Sequence, residues 1–275
     1  NALSMSGLHE FDGPFALHYA MQSTSDEIES SALMNGPFTS RNYYKVSLLP
    51  EYRHKVANDE DIIFKAGAAW EDTNRNEGRI SPIAEISRVK ETGSGRSNRI
   101  YLSYAESIQF IGYGAIGGSE TSGLFRSNHT LSSETSRNLE FGYQFENKLW
   151  VFHTTVFHRW DDNLADWTYT GTGARSAENL DLETSGVELL ASRNWERFQS
   201  IISYGFLTKK EDYGNLMIDG SFYALNFPKH RFTLGLIWDA LDSLQVRVDN
   251  EWRDQHENSL RTVSYTHLRA HETQR

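Results

Sequence analysis

The sequence predicts an all-β fold: an antiparallel, up-and-down transmembrane β-barrel wall of about twelve strands. Three observations carry that expectation. Segment after segment alternates apolar and polar residues with a period of two, which marks a strand with one buried face. The connections alternate between short and long, as tight periplasmic turns and long extracellular loops do in a membrane barrel. Aromatic residues make up 13% of the 275-residue chain, with seven Trp, and membrane barrels carry aromatic girdles at both interfaces.

Composition narrows the alternatives. A mean hydropathy of −0.58 argues against helical spans, which need about 20 consecutive apolar residues. It does not argue against a barrel, whose lumen-facing residues are polar. No cysteine is present, so disulfides and thiolate metal sites are excluded. A net charge of −10 makes nucleic acid an unsuitable partner, because phosphate binding needs a basic surface.

Taken in chain order, the alternation begins at Phe15–Gln22, where Phe15, Leu17, Tyr19 and Met21 share one face. In Tyr44–Arg53 the apolar face is Tyr44, Val46, Leu48 and Tyr52, and the polar face is Lys45, Ser47, Glu51 and Arg53. The pattern continues through Ile62–Trp70, Ile100–Tyr104, Leu139–Phe145, Val187–Ser192 and Phe198–Phe206. Phe232–Trp238 sets Phe232, Leu234, Leu236 and Trp238 against Arg231, Thr233, Gly235 and Asp239. Leu244–Trp252 sets Leu244, Val246, Val248 and Trp252 against Gln245, Arg247, Asp249 and Glu251. Short links fall at 12–14, 56–61, 88–98 (the longest), 146–148, 193–197 and 239–243. Longer polar or aromatic loops fall at 23–42, 71–80, 107–136, 161–182 and 209–229. A soluble antiparallel sandwich would also alternate, but its strands average nearer five or six residues than the roughly ten of a tilted membrane strand.

Several phrases resemble the barrel of TonB-dependent receptors. These are IYLSYAESIQF at Ile100–Phe110, GLFRSNHTLSSE at Gly123–Glu134, LEFG at Leu139–Gly142, SGVEL at Ser185–Leu189 and FPKHRFTLGL at Phe227–Leu236. SPIAEIS at Ser81–Ser87 adds a weaker match, and His129 stands where the family usually has proline. The order and spacing follow the family over about 80–260. The resemblance implies a plug domain, a TonB-contacting segment and further strands before Asn1, and more strands after Thr262. The resemblance thus implies that residues 1–262 are a partial receptor barrel, incomplete, with about twelve strands of a larger barrel. Val263–Thr273 reads VSYTHLRAHET, which resembles a translated transposase adaptor from sequencing-library preparation, so 263–275 is expected to be a non-native tail.

Candidate chemistry is sparse. Gly112–Gly117 satisfies G-x-G-x-x-G, but a dinucleotide site needs a helix opening at that turn, and the following residues read as loop. His153 and His158, five apart, point to opposite faces of a strand and cannot share a metal. Asp161, Asp162 and Asp166 lack the ligand order of a calcium loop. No nucleophile–base pair is evident, so the chain reads as a non-enzyme without cofactor or metal. Lys45, Glu140, Glu188, Arg247, Asp249 and Glu251 are expected to form a polar, lumen-facing wall. In the loops, Tyr113, Phe125, Arg126, Trp160, Trp167 and Tyr169 offer aromatic and cationic contacts suited to a chelate or corrinoid. The functional expectation is the barrel of a TonB-energised receptor in a Gram-negative outer membrane, importing a siderophore-like metal chelate or a cobalamin-like ligand. Its expected partners are the TonB complex, outer-membrane lipid and that small ligand. The alternatives are a passive porin-like channel and, more remotely, a soluble β-sheet binding module.

Overall fold

The computed structural model describes residues 1–34, 38–75, 77–93, 95–171, 173–221 and 227–255, and the backbone of 266–274. The first strands are β1 (Ala2–Glu10), β2 (Phe15–Glu27), β3 (Ser40–Ala57), β4 (Glu60–Thr73), β5 (Arg79–Thr92) and β6 (Arg96–Gln109). A five-residue helix, α1 (Tyr113–Gly117), and a two-residue strand, β7 (Phe125–Arg126), follow. Then come β8 (Glu134–Glu146), β9 (Trp150–Tyr169), β10 (Arg175–Asn194), β11 (Phe198–Asp212) and the two-residue β12 (Gly220–Ser221). The last are β13 (Pro228–Leu241), β14 (Leu244–Gln255) and β15 (Thr266–Gln274). The long strands form one antiparallel meander in chain order, with β1 and β15 at its two ends. The twelve long strands up to β14 match the sequence expectation; β15 runs through the adaptor-like tail, of which 263–265 and 275 lie outside the described residues.

The two faces of the sheet differ in chemistry because the side-chain period is two. One register row runs Phe15, Tyr52, Phe64, Ile86, Leu102, Phe141, Val156, Val187 and Phe206 across nine successive strands. It starts at the first residue of β2, beside a short turn, and ends well up β11. That climb is the strand tilt that barrel geometry requires. The row one residue over, on the other face, reads Glu51, Lys65, Glu85, Ser103 and Glu140. Phe141 is 53% exposed and Val156 52%, so none of the described residues packs over the apolar face there. Among the described residues few hydrophobic side chains are buried, and of these Ile111, Ile116, Leu180, Leu182 and Phe227 lie near the long-loop end. The sheet is built to bury its apolar face in lipid rather than in a core.

Glycines admit close approaches on this wall. At Gly142 an added Cβ would overlap the Tyr101 ring, and at Gly186 it would meet the Phe157 ring. At Gly67 it would strike the Leu48 carbonyl oxygen of β3, two residues before Pro50. Proline lacks an N–H for the ladder, and the bare glycine lets the two backbones draw together there.

Two expectations about connections need correction. The segment 161–182 was expected to be a loop, but β9 and β10 run on as strands to Tyr169 and from Arg175. A β-bulge explains why the pattern hid this. Register passes from Asp161↔Leu182 to Leu164↔Leu180, with Asn163 at φ 58°, so the apolar phase shifts midway. Likewise 88–98 is mostly strand, since Lys90 pairs with Asn98 and Thr92 with Arg96. The glycine run at Gly112–Gly117 contains the short helix α1, which packs by Gly117 against Phe38 and Leu33.

Candidate functional site

On the inner face the charged row becomes a connected ladder. His18 meets Glu51 at 2.8 Å, Arg53 donates to Glu51 at 3.0 Å, and Lys65 lies 3.7 Å from Glu51 and 3.9 Å from Glu85. Arg99 donates to Glu85 at 2.6 Å and to Gln144 at 3.2 Å, and its guanidinium lies 4.5 Å from the Tyr101 ring centre. Tyr101 donates to Glu140 and lies 3.4 Å from Thr155. Seven neighbouring strands, β2 to β6, β8 and β9, are thus tied across their polar face. At the other end Arg231 and Arg253 both donate to Glu251, at 2.5 and 2.8 Å, while Arg247 forks onto Asp249 at 2.8 and 3.1 Å. Of the wall residues named from sequence, Lys45 donates to Glu71 at 2.9 Å. Glu188 is exposed on this face and has no hydrogen-bond or ion-pair partner among the described residues.

Toward the long loops the inner face is roofed. Glu71 is 2% exposed and accepts from Tyr43 at 2.8 Å, Lys45 at 2.9 Å and Ser81 at 3.4 Å. Asp161, 1% exposed, accepts from Ser136 at 2.6 Å and Arg159 at 2.8 Å. Leu164 and Tyr213 close over Leu180 and Leu182. The loops that cover this region are pinned by specific contacts. Tyr113 donates to Asp26, which also takes Arg41 at 2.7 Å, and the Arg75 guanidinium lies 4.4 Å from the Tyr113 ring centre. Burial and the adjoining Asp26 carboxylate push the Tyr113 phenol above its ordinary value, so it stays a donor. Arg75 also donates to the Ser40 and Ile111 carbonyls at 3.1 and 3.2 Å.

The tip of the β9–β10 hairpin is held by two loops that reach it from opposite sides. From the β6–β8 loop, β7 pairs with β10; from the β11–β13 loop, β12 pairs with β9. Here Phe125 and Trp167 meet edge to face at 5.2 Å, and Arg175 lies 5.3 Å from the Phe125 ring centre and 5.9 Å from that of Tyr169. Arg126 is exposed beside them. Phe125, Arg126, Trp167 and Tyr169 are therefore brought together. Tyr113 is not with them; it serves as a loop pin. Trp160 lies apart on the apolar outer face, an even number of residues from Val156, with its ring 4.2 Å from that of His158. Sequence reading missed Arg175, Asp26 and Arg75, whose partners are set by loop paths rather than by local pattern. His153 meets Glu146 at 3.1 Å and His158 meets Ser185 at 2.7 Å.

The sequence profile described as "TonB dependent receptor-like, beta-barrel" matches residues 37–271. Among curated proteins none matches by sequence. Among solved structures, the ferric enterobactin receptor PfeA of Pseudomonas aeruginosa, in a mutant form, is similar with a TM-score of 0.60 at 13% identity, over 98% of this chain and 45% of that one. The FrpB iron transporter of Neisseria meningitidis gives 0.60 at 10% identity, over 98% and 47%. The siderophore receptor PirA of Acinetobacter baumannii gives 0.57 at 14% identity, over 99% and 46%. The chain spans less than half the length of each.

Proposed function

The chain belongs to the TonB-dependent receptor β-barrel family, whose members are barrels of the Gram-negative outer membrane, and from that premise we propose that it forms the wall of a receptor for TonB-energised uptake of a metal chelate. The observation that supports it best is the contrast between its faces. An unbroken apolar row faces lipid, a cross-linked charged wall faces inward, and pinned loops roof only the long-loop end. A wet charged wall suits a lumen that a plug fills and a polar solute crosses. The solved relatives include a siderophore receptor and an iron transporter by name, which favours a chelate over the cobalamin-like ligand. The chemistry is binding and passage, with no bond broken.

Within this reading Phe125, Arg126, Trp167 and Tyr169, with Arg175, give a chelate its first contact. Flat aromatic rings and a guanidinium suit an anionic, ring-bearing ligand. Trp160 stays with lipid and Tyr113 with loop anchoring. The test is growth under iron limitation of a strain lacking its own chelate receptors, complemented with the full-length receptor carrying this barrel. A ferric siderophore should restore growth, and deletion of TonB should abolish the rescue. Equal rescue without TonB would favour a passive channel. Replacing Phe125 and Trp167 together by Ala should weaken chelate binding about tenfold, read by titration of the purified receptor; unchanged affinity removes the cluster from the site.

A further inference from the structure

At the short-turn end of β10 the outer face carries a cation that no described residue neutralises. Trp150 of β9 stands opposite Arg193 of β10. Both share the face of Val156 and Val187, from which they are separated by an even number of residues. The Arg193 guanidinium lies 4.7 Å from the ring centre of Trp150 and 4.7 Å from that of Trp195. Trp195 in turn packs on Phe198 at 5.2 Å. Among the described residues Arg193 has no hydrogen-bond or ion-pair partner, and its Nε is shut off from solvent without an acceptor. Glu196, the acid in the adjoining turn, does not pair with it.

Position supplies the second half of the argument. Arg193 is the penultimate residue of β10, next to the short turn before β11, and short turns mark the periplasmic side. In the opposite direction the next outer-face tryptophan on β9 is Trp160, paired with Glu183. The strand between the two tryptophans spans about 33 Å at ~3.3 Å per residue. Tilted as membrane strands are, it rises about 25 Å, the height of the apolar band. The Trp150–Arg193 pair therefore lies at the level of the periplasmic headgroups. Stacking on indole rings engages the flat face of a guanidinium and leaves its N–H edge for a planar pair of acceptor oxygens. A phosphodiester presents two such oxygens with one negative charge, in the matching fork geometry.

We propose that Trp150, Arg193 and Trp195 form a clamp for the headgroup phosphodiester of one glycerophospholipid in the periplasmic leaflet. The inference rests on the barrel standing in the outer membrane, and its test separates the two. The full-length receptor in mild detergent is titrated with phosphatidylglycerol and followed by native mass spectrometry. One lipid should bind, with affinity falling about tenfold in Arg193→Gln, the effect of losing a charge-assisted hydrogen bond. Trp150→Leu, which keeps the surface apolar and the strand intact, should give a smaller drop. Diacylglycerol should not form the adduct, and a large excess of inorganic phosphate should not displace the lipid. Displacement by inorganic phosphate would show a free-anion site and overturn the lipid assignment. Wild-type affinity in both variants would overturn the clamp. Heat-modifiable electrophoretic mobility reports the folded barrel separately: a wild-type receptor that never gives the folded band in vesicles removes the membrane premise itself.

Discussion

Glu71 shows how single residues set the strength of the inner wall. It accepts from Tyr43 and Lys45 of β3 and Ser81 of β5 while almost wholly shielded from water. Replacing it with Ala leaves an ammonium and a phenol facing one another without an acceptor. Breaking a buried pair costs several kcal/mol, but the Lys45 side chain is about a third exposed and can turn to water. Glu71→Ala should therefore destabilise the barrel by about 2–3 kcal/mol, and Glu71→Gln by less, since the amide keeps the volume and an acceptor oxygen. Urea unfolding of the lipid-reconstituted receptor measures both. A midpoint for Glu71→Ala equal to that of the parent would mean that the roofed region contributes nothing to stability. Arg99 and Glu85, by contrast, sit in the open ladder, where screening by water makes each pair worth about 1 kcal/mol or less.

Elements were legible in the sequence where lipid imposes the pattern and obscure where it does not. Leu139–Phe145 and Leu244–Trp252 read cleanly because one face of each meets hydrocarbon and the other the lumen. Above the membrane no such contrast exists, and the β9–β10 arms carry a loop-like sequence although they pair as strands. Asn163 is the pivot of that mismatch. Its left-handed backbone lets two residues of β9 face one of β10, with its N–H held by Asp181 at 2.9 Å and its carbonyl by Asn179 at 2.7 Å. Asn163→Gly should be neutral or slightly stabilising, whereas Asn163→Val should cost about 1–2 kcal/mol. The valine variant should also expose the hairpin tip to protease before the rest of the barrel. Equal resistance in both variants would dissociate the bulge from the tip. The candidate site was half legible for the same reason. Aromatic residues on loops drew notice by type, but Tyr113 and Asp26 lie 87 positions apart, and no local pattern encodes such a pair. At the far edge β15 pairs with β14 through residues resembling an adaptor. A free strand edge pairs with whatever extended segment follows it, so this pairing does not bear on origin. We propose that 263–275 is foreign to the receptor; genomic DNA read across Thr262 should continue differently, and a genomic match through Thr273 would refute it.

For the molecule as a whole, the decisive property is that its apolar side points away from the protein. A soluble sheet with these faces would expose the row from Phe15 to Phe206 to water, far beyond the few hundred Å² of apolar patch that monomers tolerate. In a bilayer the same row is the stabilising surface, and its inward neighbours are the wet one. Adjacent residues should therefore respond oppositely to the same substitution. Val156 lies between the tryptophans of the two interfaces on the outer face, and Thr155 lies beside it on the inner face near Tyr101. Val156→Arg places a charge near the bilayer midplane and should cost about 2–4 kcal/mol. Thr155→Arg adds a cation to a wall already lined by Glu140 and Glu188 and should cost far less. Moving the outer substitution toward either interface, to Phe152→Arg or His158→Arg, should progressively reduce the penalty, because snorkelling becomes easier with proximity to the headgroups. Folding free energies in vesicles of defined thickness would trace this profile. Equal penalties at 155 and 156, or no dependence on depth along the outer face, would be incompatible with a wall that has lipid on one side and a lumen on the other.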